Sequence, residues 1–202
     1  MYPLTTTDRT IQSAYDALGV EASVSLKTVA RAAGVMWRYA PAETSSSIEQ
    51  RRIILDTRLS CLGLREDFAH ELAHILIHVG SQGLLPDLFI DLQERQANNL
   101  SLYLLVPSHL LHPRLEELRP RTEQEAIRDI AQHFEVTVPF AKRRWRKLQA
   151  RLDAERQERE LMAVLESSPQ YGRDYDSRLT IGSTEYFYRN GGVVFRRRAV
   201  QE

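Results

Sequence analysis

Residues 68–78 read Phe-Ala-His-Glu-Leu-Ala-His-Ile-Leu-Ile-His, and the fold turns on how this stretch is read. Apolar residues at helical spacing run from Glu66 to Val79, and Gly80 follows as a stop. On a helix, residues four apart share a face. His70 and His74 can therefore turn both imidazoles towards one metal ion, with Glu71 beside the position left open.

His70-Glu71-Leu72-Ala73-His74 is the HExxH arrangement of zinc peptidases. A catalytic zinc ion takes three protein ligands and keeps one position for water. His78 lies one turn beyond His74, but it cannot complete the set. Two four-residue steps rise about 12 Å, and one ion with bonds near ~2.1 Å cannot span from His70 to His78. A metzincin would place a third histidine ten residues after His70, where this chain has Gly80. Asp87, Asp91 and Glu94 are the next acidic candidates. Glu94 is preferred. It lies on the next helix, expected over 91–106 and stopped by Pro107, and Asn98 follows on the same face with an amide that can hold it in place. Asp91 is read as the cap of that helix. Cys61 offers a good zinc ligand by type, but it is expected to be a small buried residue.

The rest of the chain supports an ordinary folded protein. It has 202 residues, 43% apolar and 27% charged, with 27 basic residues against 27 acidic ones. That balance excludes a disordered chain and a basic coat for nucleic acid. The start, MYPLTTTDRT, does not resemble an export signal, and no run approaches the roughly 18 apolar residues of a membrane span. A single cysteine allows no internal disulfide, so a reducing cytoplasm is expected.

Helices are expected over 8–18 and 25–33, strands over 35–39 and 51–57, and a turn or loop over 43–47. Thr122 and Glu125 form a capping box for a helix to about His133. Thr137 caps a further helix with Pro139 in its first turn, continuing to about Glu166 with a Glu155–Arg159 pair. TEYFYR, Asn190-Gly191-Gly192 and VVFRRR spell a β-hairpin. The class is α+β. Three segments are expected: a core over 1–115, a helical lobe over 116–166 and a hairpin extension over 167–202.

Together, FAHELAHILIH and LQERQANNLSLYLLVPSHLL resemble the ImmA/IrrE family of bacterial metallopeptidases. That family pairs HExxH with a later Glu-x-x-Ala-Asn/Asp on an apolar helix ending in proline, here Glu94, Ala97, Asn98 and Pro107. RRIILDTRLS and AQHFEVTVPFAKRRWRKL match in kind, and the resemblance covers about Val24 to Leu148. It is nearest to versions carried by prophages and mobile elements. The resemblance implies a zincin-like, gluzincin-like core with an HExxH helix and a small mixed sheet, then a helix-turn-helix-like lobe; the hairpin lies outside it. It implies a zinc-dependent cytoplasmic endopeptidase. Its partner would be a helix-turn-helix repressor, cleaved to derepress a mobile element or stress genes. His70, His74 and Glu94 match the zinc ligands and Glu71 the general base. Tyr103, His109 and His112 are candidates by type for stabilising the oxyanion, each read first as structural. Either strand, 35–39 or 51–57, could pair with an extended substrate.

Lys142, Arg143, Arg144, Arg146, Lys147 and Arg151 surround Trp145. A solvated helix face is the favoured reading. Contact with DNA phosphates is the second, weakened by the lack of base-reading Asn or Gln in the first turns. Docking of the repressor is the third. The alternative function is a non-proteolytic regulator that binds DNA or protein on a zincin-like fold. Glu71 favours the enzyme, because a pure binder has no need of it.

Overall fold

In the computed structural model, Ser60 opens the central helix: its hydroxyl accepts from the Gly63 amide at 3.1 Å. This helix, α3 (Cys61–Ile77), begins five residues earlier than the apolar spacing suggests. The structure describes residues 6–17, 25–80, 85–167 and 175–198. They form α1 (Thr6–Ala17), α2 (Leu26–Ala32), β1 (Met36–Ala40), β2 (Ser45–Ser47), β3 (Arg52–Asp56), α3, α4 (Asp87–Leu105), α5 (Ser108–Leu118), α6 (Glu123–His133), α7 (Val138–Ser167), β4 (Ser177–Ile181), β5 (Thr184–Arg189) and β6 (Gly192–Arg198). The α+β class holds. No helix among the described residues is long and apolar enough to cross a membrane.

The first sheet has the order β1-β3-β2. β1 runs parallel to β3, and β2 antiparallel to it, so the sheet is mixed. The segment 43–47, expected as a turn or loop, thus contributes an edge strand. Three serines carry no strand pattern of their own; Ser45 to Ser47 are drawn out by pairing with Ile54 to Arg52. The apolar run of β3 is central, with Ile53 and Leu55 buried, which removes it from the candidate edges. α3 packs against β2 and β3, and Trp37 of β1 meets Phe68 of α3 with ring centroids 5.5 Å apart.

α3 buries Phe68, Ala69, Leu72, Ala73 and Ile75, and packs along α4, which buries Ala97, Leu102, Leu104 and Leu105. Small residues at 69, 73 and 97 let the two helices approach. α4 begins at Asp87, so Asp91 lies inside the helix, exposed, and caps nothing. Pro107 ends α4 as expected but also stands at the N-cap of α5, an element the sequence reading missed.

The two helices expected after residue 121 form. Thr122 caps α6, accepting from the Glu125 amide at 3.2 Å while the Glu125 carboxylate accepts from the Arg121 amide. The turn passes through Glu135 at φ 52°. Thr137 then caps α7, accepting from Phe140 N at 3.3 Å. The Glu66 carboxylate of α3 in turn accepts from both Thr137 N and Thr137 Oγ1. One turn before His70, the central helix is therefore clipped to the start of α7.

Arg144 is not on a surface patch. Its side chain is fully buried, donating from Nε to Val106 O at 2.9 Å and from Nη2 to Ser108 Oγ at 2.7 Å. Its guanidinium lies 4.5 Å from the centre of the Tyr103 ring. Ser108 passes the contact on by donating to Asp8 Oδ1 of α1. Phe140, Ala141, Arg144 and Leu148 are all buried along one stripe of α7, while Lys142, Arg143, Arg146 and Lys147 are exposed. The cationic face is real, but it has four members in that segment. Farther along α7, Glu155 pairs with Arg151 at 3.3 Å, and Arg159 bonds the main-chain carbonyl of Glu155.

The chain divides into two compact units, Met1–Arg146 and Lys147–Glu202. In the second, β5 and β6 form the expected hairpin through Asn190 and Gly191, both at positive φ (51° and 79°), as a primed turn requires. β4 adds a third strand, joined through Gly182 at φ 61°. Phe187 and Phe195 pack across this sheet at 5.3 Å.

Candidate metal centre

α3 supplies two imidazoles because His70 and His74 stand four residues apart on the face turned towards α4. α4 supplies Glu94. His70 Nε2 and His74 Nε2 lie 3.1 Å apart. Glu94 Oε2 is 3.2 Å from His70 Nε2, and Glu94 Oε1 is 3.3 Å from His74 Nε2. These three residues can hold a metal ion, since one ligand atom from each lies within 4.8 Å of the others. Tetrahedral bonds of about 2.05 Å set ligand atoms about 3.3 Å apart. Two imidazoles and a carboxylate that converge so closely form a donor set that a cation would satisfy. The donor set suits zinc.

Burial is graded across the set. His74 is buried, His70 half-buried, and the Glu94 side chain 40% exposed. The pKa of His74 is pushed down to about 4, first by burial and then by the neighbouring His70. It is therefore a neutral imidazole near pH 7, the form that binds metal. Glu71 lies beside the set on α3. Burial raises its carboxyl above the ordinary range, opposed by a hydrogen bond from Ser46 on β2. A carboxyl raised in this way is suited to accepting and returning a proton.

The other candidates lie differently. Asn98 donates to the main-chain carbonyl of Glu94 at 2.9 Å, so it braces the helix and not the carboxylate. Cys61 is exposed, contrary to expectation, and begins α3 about 13 Å along the axis from His70. Tyr103 is buried beneath Arg144, which gives its ring a packing role. His109 and His112 lie on α5; burial lowers the pKa of His109. Asp87 opens α4 at its first turn.

Two supporting residues escaped the sequence reading. His78 caps the end of α3 with extended backbone, and its Nδ1 lies 3.0 Å from His74 Nδ1. Its Nε2 lies 3.1 Å from Gln96 Oε1 on α4. The signal was the four-residue step from His74 to His78, which places them together although His78 cannot reach the ion.

The phage-like element PBSX protein XkdA of Bacillus subtilis (strain 168) is 38% identical over 92 residues, covering 46% of this chain and 45% of that protein. This chain thus matches less than half the length of that relative. YqaB of the same organism is 30% identical over 124 residues, covering 60% of this chain and 70% of YqaB. A solved Mycobacterium tuberculosis transcriptional regulator shares the fold, with a TM-score of 0.52 at 14% identity over 68% of this chain and 46% of that one. Residues 21–146 match the IrrE N-terminal-like domain. That match spans all of α3 and α4, which carry His70, His74 and Glu94, and the chain belongs to the Peptidase_M78 family.

Proposed function

We propose that the chain is a zinc-dependent cytoplasmic endopeptidase with a zincin-like core. Its substrate would be a helix-turn-helix repressor, and its action would derepress a mobile element. The observation that carries this reading is the convergence of His70, His74 and Glu94 beside the raised carboxyl of Glu71. His70 and His74 would bind the ion through Nε2 and Glu94 through its carboxylate. Zinc held there would acidify water and polarise a peptide carbonyl. Glu71 would take a proton from water on its carboxylate and return it to the leaving amine. Ser46 would orient Glu71 through their hydrogen bond.

Ser46 lies on β2, which among the described residues pairs with β3 on one side only. An extended peptide would add to the free edge of β2, placing its backbone alongside the Glu71 contact. A groove of about 410 Å³, lined by Trp37, Ser45, Ser46, Ser47 and Gln50 among others, gives side chains room beside that strand. The relationship to a phage-like element protein supports a substrate encoded with such an element.

The exposed Lys142, Arg143, Arg146 and Lys147 fit a solvated helix face, and the same exposure would let them dock an acidic surface of the repressor. The non-proteolytic reading rests on the same face. One experiment separates them. The zinc-loaded protein is incubated with the helix-turn-helix repressor encoded beside its gene. A specific cut, lost with chelator and with Glu71→Gln, supports the peptidase. Repressor binding at undiminished strength without a cut supports the regulator.

A further inference from the structure

We propose that His78 and Gln96 are positioning residues that set the tautomer of His74 and so aim its lone pair into the metal site. This rests on the reading of His74 as a metal ligand. A neutral imidazole has one N–H donor and one acceptor nitrogen. Gln96 Oε1 can only accept, so His78 must carry its hydrogen on Nε2, 3.1 Å away. His78 Nδ1 is then an acceptor. His74 Nδ1, 3.0 Å from it, must carry the hydrogen and donate. That leaves His74 Nε2 as a lone pair facing His70 Nε2 and Glu94. The choice made at a side-chain amide is passed through two rings to the metal site.

The fold builds this chain at a helix end. α3 stops at Ile77, and His78 leaves it with φ −110° and ψ 158°, while its own amide still bonds His74 O at 3.0 Å. Its ring is buried between the two helices. Glu94 and Gln96, two residues apart on α4, hold opposite ends of the array: the carboxylate faces His74 Nε2, and the amide oxygen ends the chain from His74 Nδ1. A metal-bound histidine is commonly held from its far nitrogen by a carboxylate or a carbonyl. Here an imidazole stands in between, which makes the device depend on two residues outside HExxH.

The test uses the full chain and two readouts. Zinc affinity is measured by competition with a chelator for the wild type, His70→Ala, His78→Phe, Gln96→Leu and Gln96→Glu. Tautomers are read in the metal-free proteins from long-range ¹H–¹⁵N spectra of the histidine rings. Zinc affinity should fall about 10- to 100-fold in His78→Phe and about 10-fold in Gln96→Leu. Gln96→Glu keeps an acceptor and should bind as the wild type does. His74 should be a single Nδ1–H tautomer in the wild type and in Gln96→Glu, and a mixture in His78→Phe and Gln96→Leu. A folded His78→Phe with wild-type affinity and an unchanged His74 spectrum overturns the proposal, as does a Gln96→Glu variant that loses affinity like Gln96→Leu. If His70→Ala binds zinc as tightly as the wild type, the metal reading fails instead. The tautomer spectra, taken without metal, still report on His78 and Gln96.

Discussion

Arg144→Met should destabilise the protein strongly, and Arg143→Met should not. The two residues are neighbours in one cationic run, but Arg144 is 0% exposed and Arg143 faces solvent. Removing the Arg144 guanidinium strips the Val106 carbonyl and Ser108 of their donors at 2.9 and 2.7 Å. Buried hydrogen bonds to a charged group contribute about 1.5–3 kcal/mol each. The stacking on Tyr103 at 4.5 Å adds roughly 0.5–2 kcal/mol. The methionine chain recovers part of this by filling the volume, so a net loss of about 3–5 kcal/mol follows, in the range of a broken buried ion pair. Arg143→Met loses only an exposed stack on Phe140 at 5.2 Å and should stay within about 1 kcal/mol. Urea unfolding followed by tryptophan fluorescence measures both, with Trp37 and Trp145 as the reporters. Equal midpoints for the two variants would refute the reasoning and return Arg144 to the surface.

Glu71→Gln should retain zinc and lose cleavage by about 10²–10⁴-fold, read by gel assay on the repressor. Chelation should lower the unfolding midpoint of the zinc-loaded chain, because an ion at a hundred times its Kd stabilises by about 2.7 kcal/mol, and Glu94→Ala should show a smaller shift. Glu66→Gln weakens the clip on Thr137 and should cost about 1–3 kcal/mol in thermal unfolding. Burial lowers the pKa of His109 below its ordinary 6.5, so the unfolded chain takes that proton first. The corresponding stability is complete above pH 6.5 and is lost as pH falls towards the folded value, so His109→Gln should flatten this part of the pH dependence of unfolding. Gly191→Val forces a β-branched residue to φ 79° and should speed amide exchange in β5 and β6 alone.

What could be read from the residues was whatever local spacing controls. The HExxH face, the Thr122 and Thr137 caps and the Asn190-Gly191 turn all depend on neighbours within a few positions. β2 was illegible because its strand character comes from β3, not from three serines. α5 was hidden because Pro107 reads as a stop, yet a proline at a helix end can also precede a new start; Pro113 inside it deepened the disguise. The burial of Arg144 is hidden for a different reason. Counting charges put it in a patch, while the stripe Phe140–Arg144–Leu148 at helical period already placed it on the buried face. Spacing excludes His78 as a ligand, but its contact with His74 depends on α3 ending at Ile77, which spacing alone does not specify.

The buried chain from Asp8 through Ser108 to Arg144 also orders events in time. Its two links join residues 100 and 36 positions apart. On a ribosome adding about 5–20 residues per second, Asp8 emerges on the order of ten seconds before the arginine that balances it. Through that interval α1 cannot settle into its final place without burying a carboxylate that lacks its cation. α1 should therefore be among the last elements to dock, after the helices that carry His70, His74 and Glu94 have been made.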